Sequence, residues 1–92
     1  MVPYDKRSGK IWYNNSLVDW NDVKLHVLSH GLHYASCVFE GERVYDGEIF
    51  KLEEHTSRFF YSANRMGFQI PYSEEEINLA SKKIISAQNV EN

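Results

Sequence analysis

The chain is poor in three features that would each point to a particular class of protein. It has a single cysteine, Cys37, so it cannot form an internal disulfide, and this usage fits a reducing compartment. Its longest apolar runs are only a few residues, which predicts neither a membrane span nor a signal peptide. Lysine and arginine are scattered and the formal net charge is −3, so no nucleic-acid-binding surface is indicated. We therefore expect a soluble, cytoplasmic protein.

What the sequence does contain is globular in its proportions. Of its 92 residues, 42% are apolar, 14% aromatic and 25% charged. A chain of this length predicts one domain, here residues 1–92, whose core is large enough to fold with little margin. The aromatic share is high for this length. It predicts either an aromatic-rich core or aromatic side chains that serve an interface.

The first part of the chain predicts a β-hairpin followed by irregular structure. Lys10–Tyr13 and Leu17–Val18 flank the turn-forming run Asn14–Ser16, whose asparagines tolerate positive φ. The segment Asp19–Leu28 has no sustained helical period and is interpreted as extended or irregular. A short helix is expected over Ser29–Cys37, with its first residue as the N-cap.

A second hairpin is predicted further along the chain. Side chains alternate in character over Val38–Tyr45, as they do in a strand. Asp46-Gly47 is a strong hairpin turn, and Glu48–Leu52 is the expected return strand. Its alternation places Phe39 and Arg43 on one face of the strand.

Two helices follow the strands. The first is expected over Glu53–Met66, ended by Gly67 in a left-handed cap. Ser73 and Glu76 have the spacing of a capping box and predict the start of the second helix. Each helix has an apolar stripe, formed by Leu52, Phe59, Ala63 and Met66 in the first and by Ile77, Ala80, Ile84 and Ala87 in the second. Strands followed by helices predict an α+β fold, a two-layer sandwich with helices packed on one face of an antiparallel sheet.

Two motifs carry a family resemblance that covers the chain nearly from end to end. His30-Gly31-Leu32-His33-Tyr34 precedes Val38-Phe39-Glu40-Gly41, and after the second hairpin comes His55-x-x-Arg58. Together they resemble the branched-chain amino acid aminotransferases, which are fold-type IV enzymes that use pyridoxal phosphate. They are less similar to the D-amino acid aminotransferases and aminodeoxychorismate lyases of the same fold type. The resemblance implies that residues 1–92 are the small amino-terminal domain of such an enzyme, without its large domain.

Arg58 is the first candidate for a functional residue. In the proteins that this chain resembles, the arginine of His-x-x-Arg contacts the cofactor phosphate. A guanidinium suits this role because it can hold a phosphate through paired, charge-assisted hydrogen bonds, and near a helix start it would be joined by free backbone N–H groups. The alternative is that Arg58 pairs with Glu53 or Glu54 on its own helix.

Three further residues are candidates for the substrate pocket. By resemblance, Phe39 lines the apolar pocket for a branched side chain, and Tyr34 reaches into the neighbouring subunit's pocket across a dimer interface. Arg43 also matches a family position. The alternatives are plain core packing for Phe39 and a solvated strand charge for Arg43. Apolar pockets discriminate weakly between similar aliphatic chains, so these residues do not identify one amino acid.

The histidines and the cysteine are weak candidates for other chemistry. His26, His30 and His33 have spacings that could align on a helix, but no carboxylate or cysteine pattern completes a metal site, so none is predicted. Cys37 has no obvious base beside it and is expected to be a buried, inert thiol.

The resemblance also implies that the chain is catalytically incomplete. None of its six lysines matches the family lysine that binds the cofactor covalently, which belongs to the large domain. We therefore expect no catalytic residue in this chain and no stable cofactor binding by it alone, whereas the complete enzyme would use pyridoxal phosphate. Glu42 and Ala35 depart from the family pattern, which has an apolar residue and a glycine there.

Two partners would suit such a chain. One is a separate large domain, with which it would bind a small-molecule substrate. The other is a second copy, because a domain evolved to be covered exposes apolar surface when it is alone. Candidates for that surface are Tyr34, Phe39, Trp12 and Trp20. A self-associating, non-enzymatic module of the same fold, or an α+β domain without present function, are the alternative interpretations.

Overall fold

The computed structural model describes residues 2–88. The chain order is two short strands, a one-turn helix, two more short strands and two long helices. The elements are β1 (Lys10–Tyr13), β2 (Ser16–Asp19), α1 (His30–His33), β3 (Val44–Tyr45), β4 (Glu48–Ile49), α2 (Leu52–Met66) and α3 (Glu74–Gln88). One-turn 3-10 helices span Tyr4–Lys6 and Trp20–Asp22. The predicted α+β class with antiparallel strands is confirmed.

The first hairpin forms where the sequence predicts it. β1 pairs antiparallel with β2, and Ile11 lies opposite Val18. The turn residues Asn14 and Asn15 have φ values of 48° and 70°. Two consecutive positive φ values match the right-handed twist of the strands, and asparagine tolerates them better than most residues.

The second hairpin is much shorter than predicted. β3 and β4 are two residues each, joined by Asp46 at φ 50° and Gly47 at φ 79°. The expected strand over Val38–Tyr45 is therefore wrong for residues 38–43, and the return strand ends at Ile49. Within residues 2–88 the two hairpins stay separate, and neither gains a third strand. An isolated hairpin is marginal in water, so alternation without a neighbouring strand does not hold an extended segment in place.

The two long helices form close to their predicted bounds. Gly67 ends α2 at φ 81°, and its N–H bonds to the carbonyls of Ala63 and Asn64. At the start of α3 the Ser73 hydroxyl accepts from the Glu76 N–H at 3.1 Å, and the Glu76 carboxylate accepts from the Ser73 N–H at 2.9 Å. The predicted glycine cap and capping box are both confirmed.

The short helix is confirmed in place but not in length. α1 covers four residues rather than the nine of Ser29–Cys37. The Ser29 hydroxyl does not cap it and donates instead to the His26 carbonyl at 2.7 Å. Ala35, with φ 61°, then takes the chain out of the helical region.

The core lies between α2 and its neighbours and is small. Leu52 is 3% exposed, Ala63 2% and Thr56 2%, and the Thr56 hydroxyl donates to the Asn78 side-chain carbonyl at 2.5 Å between α2 and α3. Met66, predicted for the same stripe, is instead 51% exposed.

The first hairpin packs against α3. The Lys10 N–H donates to the Gln88 side-chain oxygen at 2.7 Å, and the Trp12 ring meets the Tyr72 ring edge-on with centroids 5.3 Å apart. The radius of gyration is 14.2 Å, whereas about 12 Å is typical of a self-contained domain of this length. The chain is thus more open than its length requires.

Candidate functional site

The strongest polar cluster joins the two sequence motifs. Arg58 donates from Nε to Glu40 Oε2 at 2.7 Å and from Nη2 to Glu40 Oε1 at 2.8 Å. His55 Nδ1 lies 2.6 Å from the same Oε1. His55 and Arg58 are three residues apart on α2 and so share a face of the helix, whereas Glu40 comes from the irregular segment before β3. We call Glu40, His55 and Arg58 the carboxylate cluster.

Glu40 is the buried member of the carboxylate cluster. Its side chain is 8% exposed, against 19% for His55 and 65% for Arg58. The hydrogen bonds from Arg58, and secondly from His55, lower the pKa of Glu40 from 4.5 to about 2. The same carboxylate raises the pKa of Arg58 above its ordinary value. Since Glu40 is ionised, we assign the proton between it and His55 to Nδ1 of the histidine.

The pKa of Glu40 makes acid stability depend on this one side chain. The unfolded chain takes up the proton near pH 4.5 and the folded chain only near pH 2, so the stability from Glu40 is complete above pH 4.5 and lost as the pH falls through about 2. Desolvation raises the pKa of Glu42, which acts with the opposite sign. We expect the thermal midpoint to fall across this window and to fall less in Glu40→Gln, as circular dichroism would measure.

The control for this pH dependence is Glu54→Gln. It removes an equal charge from α2, where Glu54 is 63% exposed and reaches only Lys51, at 3.5 Å. It should therefore leave the acid limb as steep as in the parent chain. Equal slopes in the parent and in Glu40→Gln would contradict the assignment.

The structure decides between the two interpretations of Arg58 only in part. Its partner is neither Glu53 nor Glu54, so the pairing within its own helix does not form. Arg58 is the seventh residue of α2, beyond the first turn, so the expected help from that helix's free N–H groups is wrong. Its role toward a phosphate stays a prediction.

The pocket candidates do not enclose a cavity in the described part of the chain. Phe39 is 82% exposed and Tyr34 is 63% exposed. The Tyr34 ring lies beside His30 and His33, with centroids 5.0 and 4.6 Å away. Arg43 is exposed, and its guanidinium lies 5.7 Å from the centre of the Tyr45 ring. Core packing of Phe39 is therefore excluded, and the pocket roles stay predictions.

The proposed surface residues fall into two groups. Tyr34 and Phe39 are exposed, as expected for surface that a partner covers. Trp12 and Trp20 are half-buried instead. Trp12 packs on Tyr72, and the Trp20 indole donates to the Tyr4 carbonyl at 2.5 Å.

The remaining candidates carry no site chemistry. Within residues 2–88 no group of histidine, cysteine and carboxylate side chains could hold a metal ion, and His26 Nδ1 instead accepts from the Leu28 N–H at 3.0 Å. Cys37 is exposed, which corrects the expected burial. Since α1 ends at His33, the helix that would have covered Cys37 stops short of it. No helix among the described residues is both long and apolar enough to cross a membrane.

Comparison with known proteins identifies the family. The amino-transferase class IV model matches residues 37–92, which include the carboxylate cluster. The chain belongs to this family. It is 49% identical to a branched-chain-amino-acid aminotransferase of Pseudomonas aeruginosa over 92% of this chain and 29% of the relative. It is 42% identical to a probable branched-chain-amino-acid aminotransferase of Rickettsia felis over 98% of this chain and 31% of the relative. The chain thus spans about three tenths of these relatives.

Solved structures agree with this assignment. The Escherichia coli branched-chain amino acid aminotransferase superposes with a TM-score of 0.87 at 37% identity, over 92% of this chain and 29% of that chain. The enzyme of Thermoproteus uzoniensis, solved with norvaline, gives a TM-score of 0.87 at 34% identity, over 94% and 30%. A Thermus thermophilus enzyme complexed with N-(5'-phosphopyridoxyl)-L-glutamate gives 0.86 at 38% identity, over 92% and 30%.

The donors of the carboxylate cluster fit one edge of a phosphate site. Glu40 occupies two of the five N–H donors of Arg58, and within residues 2–88 Nη1 makes no hydrogen bond. Nη1 and the second Nη2 proton form the other fork of the guanidinium, which is the exposed side of the cluster. This fork can hold one phosphate oxygen pair but not a whole dianion, because Glu40 neutralises the Arg58 charge.

Sequence reasoning chose Arg58 but missed Glu40 and His55 as its partners. Both lie in the quoted motifs, so the signal was present as a buried-type acid and a histidine at helical spacing from the arginine. The pairing itself joins residues 18 apart in sequence, which no local pattern specifies.

Proposed function

We propose that this chain is the amino-terminal small domain of a branched-chain amino acid aminotransferase. In the complete enzyme it would take part in amino-group transfer between leucine, isoleucine or valine and 2-oxoglutarate. The observation that carries the proposal is the carboxylate cluster, which links Phe-Glu-Gly to His-x-x-Arg in a fold similar to the solved branched-chain enzymes. The substrate range is that named for the similar proteins from Pseudomonas aeruginosa and Escherichia coli.

In this proposal the exposed side chains of the chain meet ligands or partners. Arg58 holds the cofactor phosphate through its exposed fork. Phe39 shapes the apolar pocket for the branched side chain, Arg43 lies at the same pocket, and Tyr34 closes the pocket of a neighbouring subunit. Their exposure supports these roles, because side chains that bind across an interface are open when the interface is unmade.

The chain alone is proposed to be inactive. Pyridoxal phosphate supplies the electron sink for amino-group transfer when it is bound. A lysine that holds it must lie in an enclosed site that tunes its amine. Of the six lysines, five are exposed, and Lys10 is half-buried and ion-paired with Asp19. None has the setting of a cofactor lysine, so we infer that a large domain, made separately or in the same protein, supplies it. The complete enzyme would be cytoplasmic and oligomeric.

A second candidate function is supported by the exposed apolar side chains. Six of them fall between residues 25 and 39, each more than half exposed, namely Leu25, Val27, Leu28, Leu32, Tyr34 and Phe39. A chain with this surface would lower its free energy by self-association, as a non-enzymatic module of the same fold would. Amino-group transfer in the presence of a large domain distinguishes the enzyme from the module.

The test of the proposal is calorimetric titration of the chain with pyridoxal phosphate. Arg58→Ala removes the charge-assisted hydrogen bonds to phosphate, each of which contributes about 1.5–3 kcal/mol, so affinity should fall by about tenfold or more. The control is Arg65→Ala, an exposed arginine of the same helix that lies 5.9 Å from the Tyr61 ring. Equal affinity in the parent chain and Arg58→Ala would overturn the phosphate role of Arg58.

A further inference from the structure

The carboxylate cluster is arranged as a buried anion beneath an exposed cation. The Glu40 side chain is 8% exposed and the Arg58 side chain 65% exposed, although the two groups are joined by bonds of 2.7 and 2.8 Å. A long arginine side chain at an exposed position ordinarily samples several rotamers, which it must give up when it binds a ligand. Here Glu40 fixes both the position and the plane of the guanidinium beforehand.

The bonds to Glu40 also decide which donors are left. Nε and Nη2 face the carboxylate, so the fork of Nη1 and Nη2 points away from it. Nη2 lies 3.4 Å from His55 Nδ1, but that nitrogen already donates its proton to Glu40 and cannot accept another. The second Nη2 proton therefore stays available with the two on Nη1.

We propose that Glu40, itself held by His55, is a positioning residue that presents the free fork of Arg58 to the cofactor phosphate. The inference rests on the proposed phosphate role of Arg58 and adds the reason why an arginine already paired with a carboxylate serves it. Glu40 does not touch the phosphate. It acts by reducing the rotamer freedom that Arg58 would otherwise lose on binding.

Charge and positioning predict opposite signs when Glu40 is neutralised. Glu40 is an anion a few ångströms from the bound phosphate, so charge alone predicts tighter phosphate binding in Glu40→Gln. Positioning predicts weaker binding, because the amide leaves the guanidinium less restrained. Ordering one long side chain costs about 0.5–1.5 kcal/mol, which corresponds to a loss of about twofold to tenfold in affinity.

The experiment follows the Arg58 Nε–H signal by nuclear magnetic resonance in the 92-residue chain. The probes are pyridoxal phosphate and, separately, inorganic phosphate, each titrated to tens of millimolar so that weak binding is measured. The variants are Glu40→Gln, Glu40→Asp and the matched charge control Glu54→Gln. Glu40→Asp keeps the charge but is one methylene shorter, so it should restore part of the affinity and also serves if Glu40→Gln fails to fold.

The expected result has two parts. In the parent chain the Nε–H signal is sharp and protected from exchange, and it shifts on titration. In Glu40→Gln the signal broadens and the dissociation constant rises about twofold to tenfold, while Glu54→Gln binds as the parent does or slightly more tightly.

The failures of this inference and of the proposed function are distinguishable. Affinity that is equal or tighter in Glu40→Gln, together with loss in Arg58→Ala, would overturn the positioning role alone. An Arg58 signal that ignores both probes in the parent chain would overturn the phosphate role and the positioning role together.

Discussion

Supplied with pyridoxal phosphate, leucine and 2-oxoglutarate, the chain alone is expected to transfer amino groups no faster than the cofactor does without protein. Free cofactor reacts slowly, whereas enzymes accelerate their reactions by about a millionfold or more, so the two outcomes lie far apart. The physical reason is that the described residues contain no enclosed lysine, and the carboxylate cluster offers only one fork of donors. Glutamate formation measured by mass spectrometry distinguishes the outcomes.

Adding the remainder of the Pseudomonas aeruginosa relative, which this chain matches over 29% of its length, is the matched positive control. Turnover should then appear, and Arg58→Ala should reduce it. Turnover by the chain alone that disappears on replacing one of its six lysines with alanine would show that this chain carries its own cofactor lysine. That result would overturn the proposed incompleteness.

Leu52→Ala is expected to unfold most of the chain at room temperature. Leu52 is 3% exposed and, among residues 2–88, shares the class of buried apolar side chains only with Ala63. Removing a buried leucine costs about 2–5 kcal/mol. Small domains have about 5 kcal/mol of total stability or somewhat more, so this loss removes most of it. Urea unfolding followed by the helical signal of α2 and α3 measures the change.

The control for this prediction makes the same chemical change at the surface. Leu79 lies on α3 and is 62% exposed, so Leu79→Ala should shift the free energy of unfolding by about 0.5 kcal/mol or less. Similar losses in the two variants would show that the core does not lie around Leu52.

Local patterns predicted the long helices and the first hairpin because the residues responsible are close in sequence. The Ser73 and Glu76 pair, the Gly67 cap and the asparagine turn each act within four residues. The strand over residues 38–43 failed for the opposite reason. A strand needs a neighbour, and its alternation says which side chains share a face without saying that a partner strand is present.

The candidate site shows the same division. Arg58 was found through its motif, but its partner Glu40 lies 18 residues earlier and is brought to it by the fold of the chain. Cys37 was expected in the interior because thiols usually are, and it is exposed because α1 is too short to cover it. Phe39 was left between core and pocket, and its 82% exposure removes the first of these.

The exposed aromatic residues explain why this chain is open for its length. Phe39 and Tyr34 are large apolar groups in contact with solvent, and the small core beneath them is limited to a few side chains of α2. We interpret these groups as interface residues of an assembly. The chain should therefore associate whenever a suitable surface is offered.

Sedimentation velocity of the chain, alone and mixed with the remainder of the Pseudomonas aeruginosa relative, tests this claim most directly. We expect that the chain self-associates at high micromolar concentration, that the large domain binds it, and that Phe39→Ser weakens both. A chain that stays strictly monomeric and does not bind the large domain would contradict the claim that it is one part of a larger aminotransferase.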